Sequence, residues 1–89
     1  MEKTEDQRLR EAILEVINNQ MRDNDPPETK QAFLRLQKEG FSKEETLKLI
    51  GCVVASEVFT VLRENRPYDN EKYISALKAL PKLPWDKEG

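Results

Sequence analysis

Four helix-start signals, spaced closely along the chain, constrain the fold more than any other feature. Thr4 is followed three residues later by Gln7, a capping box in which each side chain satisfies a backbone N–H at the helix start. Ser42 and Glu45 repeat it. Asp25-Pro26-Pro27-Glu28 reads as a third start, with Asp25 as N-cap and Pro26 at the first helical position, where a missing N–H costs nothing. Asp69, just past Pro67, is the fourth. Acidic residues crowd the same first turns and complement the helix dipole. The stops agree: Gly40 supplies a left-handed residue, with Phe41 placed to pack back on Leu36, and Pro67 and Pro81 end the third and fourth helices. The expected helices cover roughly 4–22, 26–39, 42–65 and 69–80, joined by short links that favour antiparallel neighbours. No alternating run is long enough for a strand. The expectation is an all-α compact bundle of about four helices, a single domain over 1–80 with a C-terminal tail at 81–89.

The run Leu47–Leu62, LKLIGCVVASEVFTVL, is the apolar centre of a chain that is 36% charged. It is shorter than the roughly 20 residues a membrane span needs, and Lys48 and Glu57 interrupt it. At about 100° per residue, Leu47, Ile50, Val54, Val58 and Val61 fall on one line, flanked by Gly51, Val53 and Leu62. Gly51 and Ala55 allow another helix to come close. The third helix (about 42–65) is therefore expected to be the hub around which the others pack. The first helix offers Leu9, Ala12, Ile13, Val16 and Ile17 as its stripe, and the fourth offers Tyr73, Ile74, Leu77 and Leu80. The second has only Phe33 and Leu36 on one face and reads as too polar to cover much of the hub.

Composition excludes several functions. A net charge of −2, with Lys and Arg interspersed among acids, opposes nucleic-acid binding and anionic membranes. The chain has no His, which removes Ser-His-Asp triads and imidazole metal sites. No Gly-rich phosphate loop is present. Cys52, the one cysteine, sits inside a helix and reads as a packing residue. A single cysteine and an N-terminal run without a signal-peptide stretch give the expectation of a soluble, cytoplasmic protein with no cofactor and no catalytic site.

Three residues stand out as binding candidates. Glu57 falls between Ile50 and Val53 on the helical wheel, at the edge of the main apolar face. It is either a ligand-binding or proton-handling acid, or an acid at the core rim paired with a Lys, Arg or tyrosine hydroxyl of another helix. Phe59 belongs to a second seam, Leu49, Cys52, Ser56, Phe59 and Arg63, on the opposite side of the hub. Trp85 lies in the tail PKLPWDKEG. That tail can extend as polyproline, fold back with Leu83 over the core, or present Trp85 to a partner. The second seam needs cover, from the tail or from a symmetric copy.

Asp25-Pro26-Pro27-Glu28, Gly40 before Ser42-Lys43-Glu44-Glu45, Glu57 in the hub, Arg66-Pro67-Tyr68-Asp69, and Tyr73, Leu77 and Leu80-Pro81 together resemble a group of short bacterial all-helical proteins catalogued as a domain of unknown function. The likeness covers roughly residues 20–81. It implies a bacterial, cytoplasmic, all-α protein and no particular activity. Some members of that group carry histidines near the start of the hub helix; here those places hold residues such as Lys43 and Leu47, so no metal role carries over. The leading expectation is a non-enzymatic interaction module, self-associating or accessory to a larger protein. The alternative is a small-molecule or metal-responsive binding protein using Glu57 and nearby carboxylates.

Overall fold

In the computed structural model of the chain, residues 4–86 are described. Residues 1–3 of the expected domain and 87–89 of the expected tail lie outside the described residues. The described chain forms α1 (Glu5–Asp23), α2 (Pro27–Lys38), α3 (Lys43–Glu64) and α4 (Asn70–Ala79), with no strand. The fold is an all-α bundle.

Three of the four starts form as their residue chemistry dictates. Thr4 Oγ1 accepts from the Gln7 N–H at 3.2 Å while Gln7 Oε1 accepts from the Thr4 N–H at 2.9 Å. Ser42 and Glu45 make the same exchange at 3.0 and 2.8 Å. Asp69 Oδ1 accepts from the Lys72 N–H at 3.1 Å. Asp25 does not cap α2. Pro26 occupies that position and Pro27 is the first helical residue. The cause is the short link, in which the Asp25 N–H already donates to Gln20 O at 3.0 Å and so closes α1 instead.

The ends are equally chemical. Gly40 has φ +110°, and the Phe41 N–H donates to Leu36 O and the Gly40 N–H to Gln37 O, both at 3.1 Å. These two bonds make a Schellman motif, and Phe41 packs on the core that contains Leu36. Helices α1 and α3 end on Asn24 (φ 53°) and Asn65 (φ 49°), left-handed residues that asparagine tolerates better than most. Pro67 lies beyond an end that Asn65 has already made.

The core gathers Ile17 from α1, Ala32 and Leu36 from α2, Ile50, Val53 and Val54 from α3, and Tyr73, Leu77 and Leu80 from α4 and its cap. Full burial of a side chain of this class contributes about 1.5–3 kcal/mol before ordering costs. Helix α3 touches all three others, as expected of the hub. Helix α2 does so as well, contrary to the expectation that it is too polar. Its buried residues Thr29 and Ala32 are small, so a modest apolar face suffices once the backbones approach.

The buried line of α3 also differs from the expected one. It runs Thr46, Ile50, Val53, Glu57 and Thr60, with Val54 beside it, while Val58 and Leu62 face outward. Three polar residues thus hold places that hydropathy assigns to Leu47, Val58 and Val61. Thr60 Oγ1 donates to Ser56 O at 2.9 Å and Glu57 Oε1 accepts from the Asp69 N–H, so two of the three have partners. Thr46 Oγ1 has none.

Candidate interaction surface

Turning α3 in this way leaves a ridge of Val58 and Leu62 on its outer side, with a groove along each flank. Leu62 is 75% exposed, which is unusual for a leucine between two apolar walls.

The larger groove encloses about 550 Å3 between the first half of α1 and the second half of α3. Leu9 and Ile13 form one wall and Cys52, Ala55, Ser56 and Phe59 the other, with Trp85 at its edge. Gly51 sets how closely the helices meet: Ile13 Cγ2 lies 3.3 Å from where a β-carbon on Gly51 would stand. The Arg63 guanidinium sits over the Phe59 ring at 5.3 Å, a cation–π contact that holds the ring at the groove's rim. Arg63 also reaches Glu64 at 3.1 Å, and Glu64 reaches Arg66 at 3.1 Å.

The smaller groove, about 260 Å3, lies across the ridge, where α3 faces Tyr68 and Tyr73. Glu57 lines it and is only 7% exposed. Its partner is a backbone amide, Asp69 N–H at 3.3 Å, rather than the Lys, Arg or tyrosine hydroxyl expected from the sequence. The Asp69 cap at the start of α4 turns that amide inward, so a local turn supplies what a distant side chain is expected to supply. The rings of Tyr68 and Tyr73 meet at 5.8 Å and 56°. Partial burial pushes the Tyr68 hydroxyl up to about 12, with Tyr73, Glu57, Asp25 and Asp69 adding to it. Burial also raises Tyr73, opposed by its hydrogen bonds to Thr29 and Gln20.

Of the three residues singled out from sequence, Phe59 and Trp85 share the larger groove and Glu57 lies in the other. The second seam is largely as expected: Cys52, Ser56 and Phe59 line the groove, and Arg63 flanks it. Leu83 folds back on the core. Trp85 reaches the groove yet stays 57% exposed, so the tail narrows the seam without closing it. Leu9, Leu62 and Tyr68 belong to these grooves and are not evident from sequence. Leu62 sits at the edge of the expected buried line, and Tyr68 stands in a link between two helix signals. Among the described residues, no three His, Cys, Asp or Glu side chains gather to hold a metal ion, and no helix is long and apolar enough to cross a membrane.

No protein-family model, curated protein or solved structure matches this chain. The likeness to short bacterial helical proteins therefore rests on caps, turns and core positions alone.

Proposed function

We propose that this chain is a non-enzymatic interaction module that pairs with a second copy of itself through the larger groove and the ridge beside it. One observation carries the reading: an exposed ridge stands directly beside an apolar groove. A surface holding both can seat its own ridge in its twin's groove, which is what a two-fold interface requires.

Area and charge support the same occupant. Leu9, Val58, Phe59, Leu62 and Trp85, each more than half exposed, together present on the order of 700 Å2 of surface, close to the roughly 800 Å2 per partner of a standard interface. Beside Phe59 the rim carries both signs, with Arg63 and Arg66 bracketing Glu64. A copy brought in by a two-fold axis thus meets no one-sided charge.

Sedimentation from micromolar concentration upward tests this, with Leu62→Glu alongside. Leu62 is too exposed to hold the protomer together, so its replacement reads the interface. The intact chain is expected to dimerise, with Trp85 emission shifting to the blue as dimer forms, and the variant to stay monomeric. A monomer at every concentration, with Trp85 emission unchanged throughout, overturns the reading.

A further inference from the structure

We infer that the smaller groove, between Glu57 and the Tyr68–Tyr73 pair, is a binding site for an alkylammonium group. This inference does not rest on pairing of the chains.

The first ground is a charge the fold leaves without a counter-charge. Glu57 is nine-tenths buried, and one of its oxygens receives a single 3.3 Å bond from a neutral amide. The ion pairs of the described residues join other groups and leave Glu57 out. A buried carboxylate without a cation is costly, and a bound cation supplies the missing partner.

The second ground is the wall opposite. Tyr68, half exposed, lines the groove with the buried Tyr73 ring packed at a tilt behind it, and aromatic rings attract cations. Asp25 and Asp69 add negative charge around Tyr68, whose hydroxyl stays neutral at ordinary pH. Apart from Gln20, whose amide oxygen is already engaged by Thr29 and Tyr73, the rest of the lining is aliphatic, including Val54 and Val61. That lining suits an alkyl chain and not a hard metal ion, which needs about six oxygens. At about 260 Å3 the groove falls below the roughly 300 Å3 of ordinary ligand pockets, a size for a short amine or one side chain.

Amide NMR titration of the full chain with butylammonium chloride tests the site, with 1-butanol as its neutral counterpart. Saturable shifts are expected at Glu57, Tyr68 and Asp69, with butanol at least about tenfold weaker. Glu57→Gln keeps the acceptor for the Asp69 amide and should weaken butylammonium by about tenfold or more. Tyr68→Leu, at an exposed position, should weaken it too. A blocked Gly-Lys-Gly peptide separates the two sources of this chemistry. Binding as tight as butylammonium assigns the groove to a lysine side chain, and weaker binding assigns it to a free amine. Equal binding of butanol, or unchanged affinity in either variant, overturns the inference.

Discussion

Gln20 on α1 and Tyr73 on α4 are joined by a 2.8 Å hydrogen bond, the tyrosine hydroxyl donating to the amide oxygen. The same oxygen accepts from the Thr29 hydroxyl of α2 at 2.7 Å. Among the described residues, α1 and α4 make no close backbone approach, so this shared acceptor is a polar tie between helices that otherwise only border common neighbours. Thr29 and Tyr73 are both buried, and neither hydroxyl has water to fall back on.

Removing the acceptor should therefore cost more than removing one donor. Tyr73→Phe leaves Gln20 bonded to Thr29 and should cost about 1 kcal/mol. Gln20→Leu orphans two buried hydroxyls and should cost about 2–4 kcal/mol. The double variant should lose less than the two single losses added together, because the phenylalanine ring has no hydroxyl left to satisfy. Urea denaturation of the four proteins reads this directly. A neutral Gln20→Leu would show that the tie carries no stability.

The junction of α2 and α3 gives a second test. A β-carbon on Gly40 would meet nothing within 4 Å, so the penalty for Gly40→Ala is purely conformational. Its φ of +110° is one that alanine adopts poorly, and a loss of about 1 kcal/mol or more is expected. Gly40→Val should lose more. Ser42→Ala breaks the capping box and should cost about 0.5–2 kcal/mol. Thermal melts compare them, and unchanged melting in all three would displace the junction from the stability of the fold.

What the sequence makes legible here is short-range chemistry. Thr4 with Gln7, Ser42 with Glu45, Asp69, and Gly40 act on atoms within a few positions of themselves, and all four form as their residue types require. Asp25 fails because two helices compete for one short link, and its amide serves the earlier one. The hub's buried line is harder to read. Thr60 and Glu57 are buried because Ser56 O and the Asp69 amide accommodate them, and only the assembled turn brings that amide inward. Val58 and Leu62 are displaced outward by the same rotation, so the ridge is hidden in the sequence although each of its residues is visible. The seam through Phe59 is legible as a spacing. Its relation to Trp85 is not, since the tail's course depends on Leu83 finding the core.

At Gly51 two effects oppose, and their sizes decide the sign. Alanine in a helix interior is favoured over glycine by about 0.8–1 kcal/mol. Against this, Ile13 Cγ2 at 3.3 Å must yield by a few tenths of an ångström. Ile13 borders the open groove and has room to move, so Gly51→Ala should stabilise by about 0.5 kcal/mol. Gly51→Val should destabilise, because its branches cannot share that space. Destabilisation by alanine would mean that the α1–α3 contact is rigid.

Tyr68 sets a dependence on high pH. Its folded pKa of about 12 lies above the unfolded value near 10, so the unfolded chain loses its proton first as pH rises. The contribution is complete below about pH 10 and declines as pH climbs toward 12. Tyr68 is half exposed, and solvent screening holds the loss to less than about 1 kcal/mol. Comparing Tyr68→Phe with the parent at pH 8 and pH 11 isolates it. The parent's advantage should shrink at the higher pH, and a constant difference would remove Tyr68 from the titration.

Arg35 is a cap that no local pattern announces. Its guanidinium, on α2, donates to two carbonyls where α4 ends, Leu80 O at 2.9 Å and Leu77 O at 3.3 Å, the second of which also accepts from the Leu80 N–H. It also reaches Glu39 Oε2 at 2.9 Å along its own helix. The two interactions differ in worth. An exposed pair four residues apart contributes about 0.3–0.5 kcal/mol, so Glu39→Gln should be nearly silent. A cation at a helix C-terminus gains from the dipole as well as from the hydrogen bonds, and here it ties α4 to α2 across the molecule. Arg35→Met keeps the aliphatic stem and removes both bonds, for an expected loss of about 1–2 kcal/mol. Arg35→Lys should recover only part, because an ammonium cannot fork to two carbonyls. Amide exchange adds a local readout: the Leu80 and Lys82 N–H groups, which donate to Leu77 O and Ala79 O, should exchange faster in Arg35→Met, while the Thr46 N–H, which donates to Ser42 O at the start of α3, keeps its protection. Equal exchange at both ends, or a Glu39→Gln loss as large as that of Arg35→Met, would move the stabilisation from the α4 cap to the intrahelical pair.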